Sequence, residues 1–239
     1  MQELSTIQQA VLRRVPRLGL PPGACVLDAP CGAAAMTQEL RQAGFDAWGA
    51  DLDLDARAAL GDRFTEADLN GTLPWPDATF DAVFSIEGIE HLENRFQFLR
   101  EAYRVLKPRG FLVLTTPNIC ALRSRVRYLF SGFYHKDPRP LNESARHPLH
   151  HIGLMGFPEL RYALHTTGFK LSLAGATHAK PISYAYAPLA PLISIYTRLA
   201  FRKEKDAAQR ERNRQIRRTL MSLPLLVGEN LLLIARKPE

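Results

Sequence analysis

The chain alternates between short, almost wholly apolar runs and longer stretches in which apolar residues recur every three or four positions. Such runs, bounded by Gly, Pro and acidic residues, predict buried strands, and the longer period predicts amphipathic helices. Strands are predicted over "CVLDA" (25–29), "FDAWGAD" (45–51), "RFTEAD" (63–68), "FDAVFSI" (80–86) and "GFLVLTTP" (110–117). Helices are predicted over "AMTQELRQAG" (35–44) and "RFQFLREAYRVLK" (95–107), the second closed by Pro108 and Gly110.

The second half adds a helix over "FPELRYALHTTGF" (157–169) and strands over "KLSLAGAT" (170–177) and "NLLLIARK" (230–237). This repeated β-α-β order predicts an α/β fold, with a mostly parallel sheet covered by helices on both faces and ligands bound beyond the carboxyl ends of its strands. We expect a single domain over residues 1–239. Residues 118–155 are predicted to form a substrate-side insertion or lid, and residues 184–218 an amphipathic and basic helical segment before the last strand.

Composition places the chain among soluble globular proteins, with 239 residues, 46% apolar and 23% charged. The three cysteines have no disulfide or metal-ligand spacing, which fits a reducing compartment. The first twenty residues are interrupted by arginines and do not look like a signal peptide, and no run reaches the roughly 20 apolar residues of a membrane span. We therefore expect a cytoplasmic protein.

The net charge of +7 is concentrated in one segment. Between Arg198 and Arg218, nine Lys/Arg residues face three acids, which gives this segment a charge of +6. A basic stripe attracts phosphates of nucleic acid, anionic lipid or a diphosphate-linked substrate, although a solvated helix face has the same composition.

Five segments in order resemble the class I S-adenosylmethionine-dependent methyltransferases, and most closely the bacterial group of ubiquinone-pathway and glycan O-methyltransferases. They are "VLDAPCGAAAMT", "FDAWGADLD", "EADLNGTLPWPDATFDAVFSIEGIEHL", "FLREAYRVLKPRGFLVLTTPN" and "HHIGLMGFPELRYALHTTGF". The resemblance covers residues 24 to about 180. It implies a Rossmann-like three-layer sandwich whose seven-stranded, mostly parallel sheet ends in an antiparallel strand, and S-adenosylmethionine as cofactor.

The first turn departs from the family pattern, because Pro30, Gly32 and Ala34 stand where the family has three glycines. Of these three positions, the one with the most restricted backbone conformation still holds a glycine, Gly32. The replacements disfavour a dinucleotide, whose pyrophosphate needs close contact with glycine backbone, whereas S-adenosylmethionine has no phosphate. We therefore expect the turn to remain functional.

The resemblance implies a set of cofactor-binding positions. Asp51, followed by Leu52, is expected to accept the ribose hydroxyls, and Asp68, followed by Leu69, to hold the adenine ring. Asp28 is expected to hold the methionine ammonium of the cofactor indirectly, by fixing the turn or through water. The complete predicted set is Asp28, Ala29, Pro30, Cys31, Gly32, Asp51, Leu52, Asp68, Leu69 and Ser85.

His91 is the leading candidate for a general base, because methyl transfer to a hydroxyl also requires removal of a proton. Glu87 is the second catalytic candidate. Glu87, Glu90 and His91 have the spacing of one helical face, and with the distant His151 they resemble the metal ligands of small-RNA 2′-O-methyltransferases. Such a set would hold Mn²⁺, Zn²⁺, Fe²⁺ or Co²⁺ at least as well as Mg²⁺. The reading of His91 as a packing residue stays open.

The acceptor is expected to bind under the insertion, which contains His135, His147, His150 and His151. The insertion and the apolar and basic segment 184–218 together favour O-methylation of a small-molecule or lipid-linked hydroxyl. They also favour peripheral contact of the protein with the inner membrane face. Two alternatives remain: a metal-assisted RNA 2′-O-methyltransferase, although no RNA-binding module is recognisable, and a non-catalytic cofactor-binding or scaffold protein.

Overall fold

The computed structural model describes residues 3–136, 139–144 and 149–239, so His147 lies outside the described residues. The strands are β1 (Cys25–Asp28), β2 (Asp46–Asp51), β3 (Phe64–Glu66), β4 (Phe80–Ile86), β5 (Leu106–Pro117), β6 (Lys170–Ala176) and β7 (Asn230–Arg236). The helices are α1 (Thr6–Leu12), α2 (Ala35–Gln42), α3 (Arg57–Leu60), α4 (Arg95–Val105), α5 (Leu122–Ser131), α6 (Phe157–Thr167), α7 (Pro181–Tyr184), α8 (Ala190–Phe201), α9 (Ala207–Leu220) and α10 (Leu223–Val227).

The strands form one seven-stranded sheet in the order β3-β2-β1-β4-β5-β7-β6. β7 runs antiparallel to both of its neighbours, and the other pairings are parallel. The predicted Rossmann-like sheet with an antiparallel last strand is thereby confirmed. Because β7 is antiparallel, its first residue lies at the same sheet edge as the carboxyl ends of β4 and β5.

Successive residues of each central strand point to opposite faces of the sheet, and each face has its own core. Leu27 belongs to the cluster that contains Phe98 of α4 and Phe157 of α6, whereas its neighbour Val26 belongs to the cluster that contains Met36 of α2 and Val11 of α1. This arrangement gives the three-layer sandwich. Within the described residues, no helix combines the length and apolar character needed to cross a bilayer.

The boundary between α4 and β5 differs from the sequence prediction. The predicted helix ran to Lys107, but α4 ends at Val105, and β5 begins at Leu106 with a register shift against β4. The Lys107 ammonium pairs with Asp81 of β4 at 2.8 Å, and Arg109 adopts a left-handed φ of 67°. The Pro-Arg-Gly stretch is therefore an irregularity within the strand and not a separate turn.

Candidate active site

A cavity of about 830 Å³ opens at the carboxyl ends of β1, β2 and β4, where open α/β sheets bind ligands. The predicted site residues that line it are Asp28, Pro30, Cys31, Gly32, Asp51, Leu52, Asp68, Leu69, Glu87 and His91. Ala29 and Ser85 do not line it, and both are fully buried. Side chains alternate along β4, so the wall is formed by Ile86 and not by the adjacent Ser85.

The turn between β1 and α2 needs left-handed backbone at two positions. Gly32 has a φ of 49° and Ala34, the N-cap of α2, a φ of 67°. A Cβ added at Gly32 would meet no atom within 4 Å, so the conformation itself, and not lack of space, favours glycine there. The sequence therefore located only one of the two restricted positions.

Ala34→Gly should raise the free energy of unfolding by about 1 kcal/mol, because alanine in left-handed backbone costs roughly 1–2 kcal/mol and glycine does not. Urea unfolding of the ligand-free protein measures this change. Ala33→Gly is the matched control, since Ala33 is exposed and has no left-handed φ. An Ala34→Gly protein less stable than wild type would contradict the strain.

Pro30 brings the first turn against the turn that follows β4. A Cβ built on Gly88 would lie 2.2 Å from Pro30 Cδ, so Gly88 must be glycine for the two turns to meet. The proline ring thus occupies space between the turns that a glycine at position 30 would leave open. Gly88 also lines the cavity, and the sequence interpretation missed its role.

Asp28 fixes the turn from within. Its carboxylate accepts a 2.7 Å hydrogen bond from the Thr37 hydroxyl of α2. Burial raises the pKa of Asp28 to about 7. This contact ties the turn to α2, and the predicted role of Asp28 toward the cofactor stays a prediction.

Asp51 links the first two turns of the cavity. One of its carboxylate oxygens accepts the Gly32 N–H at 2.8 Å, and the other accepts the Asp53 N–H at 3.0 Å. The two oxygens therefore lie at the cavity wall in a fixed orientation, with the exposed Leu52 beside them. A carboxylate held in this way can accept two hydroxyl protons from one ligand.

Asp68 lies on an exposed loop that a side-chain network holds in place. Its carboxylate accepts both the backbone N–H of Asn70, at 2.8 Å, and the Asn70 side-chain amide, at 3.0 Å. The side-chain Oδ1 of Asn70 in turn accepts the Asn94 N–H before α4, at 2.9 Å. Asn70 lines the cavity but was not predicted; its only sequence signal is the Asp-x-Asn spacing, which is typical of a turn.

The segment from Glu87 to His91 does not form the single helical face that its spacing predicted. Only Ile89–His91 form a turn, of 3₁₀ type, and Glu87 lies outside it with a left-handed φ of 52°. Glu90, His91 and His151 come together, with ligand atoms within 4.8 Å of one another, and Glu87 is not part of this group. The predicted four-residue set is thus corrected to three.

The Glu87 carboxyl instead accepts a hydrogen bond from the side-chain amide of Asn230, at the start of β7. Its backbone N–H donates to the hydroxyl of Thr115 at 3.0 Å. Burial raises the pKa of Glu87 to about 7. The amide of Asn230, 143 residues away in the chain, was missed because only the antiparallel pairing of β7 brings it here.

The Glu90 carboxyl is fully buried and neither of its oxygens makes a well-formed hydrogen bond. Burial and the neighbouring Glu87 carboxyl raise its pKa to about 8. A buried carboxyl in this setting is stable either protonated or beside a cation. The adjacent imidazoles of His91 and His151, whose ring centroids are 4.9 Å apart, complete a donor set suited to a divalent metal.

His91 is oriented by the insertion. Its Nδ1 lies 3.2 Å from the carbonyl oxygen of His150. A carbonyl only accepts, so Nδ1 carries the proton and the lone pair of the neutral ring is on Nε2. His91 also lines the cavity, so the ring can act there as a proton acceptor.

The end of the insertion forms one wall of the cavity. Leu149, His150 and Ile152 line it, and the Gly153 N–H donates to the Glu90 carbonyl at 2.8 Å. An added Cβ at Gly153 would meet the Arg95 side chain at 2.3 Å, so the chain passes tightly over the start of α4. The end of the insertion, which is predicted to contact substrate, thus directly contacts the Ile89–His91 turn.

Comparisons with known proteins agree with this architecture. Residues 27–114 match the family model described as a methyltransferase domain. A demethylmenaquinone methyltransferase of Listeria monocytogenes is 32% identical over 188 residues, which cover 65% of this chain and 77% of that protein. A demethylmenaquinone methyltransferase of Tropheryma whipplei is 34% identical over 119 residues, 46% of this chain and 50% of that protein.

The solved structures agree at the level of the fold. A SAM-dependent methyltransferase from Archaeoglobus fulgidus superposes with a TM-score of 0.58 over 98% of this chain and 95% of its own, at 18% identity. The matched segments span about half the length of several of the first curated relatives.

Proposed function

The chain belongs to the class I S-adenosylmethionine-dependent methyltransferases, and on that premise we propose that it methylates a hydroxyl group of a small-molecule or lipid-linked acceptor. The observation that carries the proposal is that His91, with its basic Nε2, lines the same cavity as the turn and carboxylate of the cofactor site. A non-catalytic role finds no support in this arrangement.

The cavity fits the cofactor. Its volume lies within the range of about 300–1,000 Å³ that small-molecule sites occupy. The Asp51 carboxylate would accept the ribose hydroxyls, Leu52 would cover the purine, and Asp68 with the Leu69 N–H would hold its edge. Bound S-adenosylmethionine supplies a methyl group on a positively charged sulfonium.

In the reaction, the residues of this chain align the acceptor and remove its proton. Methyl transfer is an in-line displacement, so the walls provided by Leu149, His150 and Ile152 would position the hydroxyl and exclude water. His91 Nε2 would take the hydroxyl proton, and the His150 carbonyl would stabilise the resulting imidazolium through Nδ1–H. Glu87, tied to Asn230, would orient the acceptor from the other side.

A metal-assisted reaction is the second candidate, and the buried Glu90 with His91 and His151 favours it. These three side chains would hold a divalent ion that lowers the pKa of the acceptor hydroxyl. RNA as acceptor is the less favoured version, because no recognisable RNA-binding module accompanies the site.

The proposed acceptor class is supported by the name of one relative and by the exposed surface of the segment between β6 and β7. One relative is named for its action on demethylmenaquinone, and the helices between β6 and β7 of this chain expose apolar side chains. Leu192, Ile195 and Tyr196 of α8 are 59–74% exposed, and the cationic α9 follows. Apolar and basic surface in succession fits the inner face of an anionic membrane, where a lipid-linked acceptor would be found.

The paired change Leu192→Glu and Tyr196→Glu should abolish sedimentation of the protein with phosphatidylglycerol vesicles, because it replaces exposed apolar surface by charge of the lipid's own sign. Phe96→Glu, at an exposed apolar residue of α4, is the control and should leave sedimentation unchanged. Equal sedimentation of all three proteins would argue against this membrane contact.

The proposed reaction is tested by incubating the protein with methyl-labelled S-adenosylmethionine and separate lipid, glycan and RNA fractions. Label in an alkali-stable ether of a lipid or glycan product supports the proposal. Label only in RNA, lost in excess EDTA, would favour the second candidate. No label in any fraction, from protein that binds the cofactor, would contradict both.

A further inference from the structure

Four basic side chains surround one buried acid beside the active site. Glu229, whose side chain is 2% exposed, lies 3.5 Å from the Lys180 ammonium, 3.6 Å from Lys136 and 3.7 Å from both Arg123 and His135. Arg123 lies in α5, His135 and Lys136 follow α5, Lys180 is the N-cap residue of α7, and Glu229 directly precedes β7. The fold therefore assembles the cluster from four separate parts of the chain.

The cluster lies at the cavity edge of the sheet. The Glu229 N–H donates to the His178 carbonyl after β6, and the Glu229 carbonyl accepts the Asn118 N–H after β5. The next residue, Asn230, bonds the Glu87 carboxyl, which lines the cavity. Burial raises the pKa of Glu87, and the positive charge of Lys136 acts in the opposite direction. A group bound at the cluster would thus lie next to the acceptor side of the cavity.

The positive charge of the cluster exceeds what Glu229 can neutralise. Among the described residues, Arg123, Lys136 and Lys180 provide three charges against one carboxylate, a surplus of two. All three contacts are 3.5–3.7 Å, longer than the 2.7–2.9 Å of a direct charge-assisted hydrogen bond. Burial and neighbouring cations lower the pKa of His135 and His178, which keeps these two rings neutral at pH 7.

Neutralising one buried carboxylate requires only one cation, so charge balance of Glu229 does not account for the cluster. Although burial acts to raise the pKa of Glu229, the surrounding cations hold it below its usual range, and the acid stays ionised. An ionised Glu229 attracts the cations around it and holds them together. The surplus of two charges matches a phosphate dianion.

We propose that Arg123, Lys136 and Lys180, held around Glu229, bind a phosphate group of the methyl acceptor. The inference rests on the proposed function in that the bound phosphate belongs to the acceptor whose hydroxyl faces His91. Arg123 lies on α5, which also exposes the apolar side chains of Leu129 and Phe130, so a phosphate with an apolar chain would contact the cluster and this apolar surface.

Inorganic phosphate is the probe, titrated into the full chain by calorimetry at constant ionic strength set with sodium chloride. Lys180→Gln should weaken binding about tenfold, the effect of removing one charge near the anion at a partly exposed site. Lys180 is half-exposed, so this variant should fold. Glu229→Gln should tighten binding by a similar factor. Lys203→Gln, at an exposed lysine after α8, is the control and should bind like wild type.

Two further comparisons distinguish a lipid phosphate from a soluble one, and failure of the phosphate site from failure of the proposed function. Wild type and Lys180→Gln are compared on phosphatidylglycerol and phosphatidylcholine vesicles: weaker binding of the variant to phosphatidylglycerol alone identifies a lipid phosphate, and equal binding identifies a soluble one. Phosphate affinity that is the same in wild type and Lys180→Gln, or no saturable binding, overturns the site. Phosphate binding as expected without methyl transfer to any fraction overturns the proposed function and leaves the site in place.

Discussion

His91→Ala should lower the turnover of methyl transfer by about 10²- to 10⁴-fold, the usual contribution of a positioned proton acceptor. Its affinity for S-adenosylmethionine should stay close to wild type, because the cofactor contacts assigned to Asp51 and Asp68 come from other turns. Single-turnover kinetics with labelled cofactor measure the first quantity and isothermal titration the second. His165→Ala, at an exposed histidine of α6, is the matched control and should keep full turnover.

Companion variants separate the base role from the metal role. If His91 acts only as a base, His91→Gln should not restore turnover, Glu90→Gln should remain active, and excess EDTA should have no effect. If Glu90, His91 and His151 hold a metal, Glu90→Gln and His151→Ala should reproduce the loss, and one divalent ion should restore EDTA-treated wild type. A folded, cofactor-binding His91→Ala protein with near wild-type turnover would rule out both roles.

Asp51→Ala should weaken S-adenosylmethionine binding about 100-fold, since hydrogen bonds to a charged group contribute about 1.5–3 kcal/mol each and a factor of ten corresponds to about 1.4 kcal/mol. The substitution also removes the acceptor of the Gly32 N–H and so releases the first turn. Isothermal titration of the cofactor measures the change. Asp51→Asn keeps one acceptor oxygen, so its affinity for S-adenosylmethionine should lie between those of wild type and Asp51→Ala.

Asp53→Ala controls for loss of a nearby acid, because Asp53 accepts a hydrogen bond from the Asp55 N–H and does not line the cavity. Its cofactor affinity should equal that of wild type, with a modest loss of stability. Equal affinity of wild type and Asp51→Ala would show that Asp51 does not hold the ribose.

The strands and the turn residues could be predicted because their signals are local. Buried parallel strands are apolar runs between Gly, Pro and acids, and the residues that follow them in the chain are those that the sheet brings to its edge. The prediction failed where tertiary contacts determine the backbone conformation or the direction of a side chain. Arg109 and Glu87 adopt left-handed conformations that are not predictable from their residue types. Ser85 and Ala29 are buried in the core although they adjoin cavity residues.

The sequence by itself determined the α/β order, the family, and the presence of Asp51, Asp68 and His91 after three successive strands. Only the tertiary structure decided that Glu87 separates from Glu90 and pairs with Asn230, and that Glu229 gathers cations from residues 123, 136 and 180. The physical reason is the distance in the chain between the partners. Periodicity and turn chemistry act over a few residues, whereas these contacts form because the antiparallel β7 begins at the edge where β4 and β5 end.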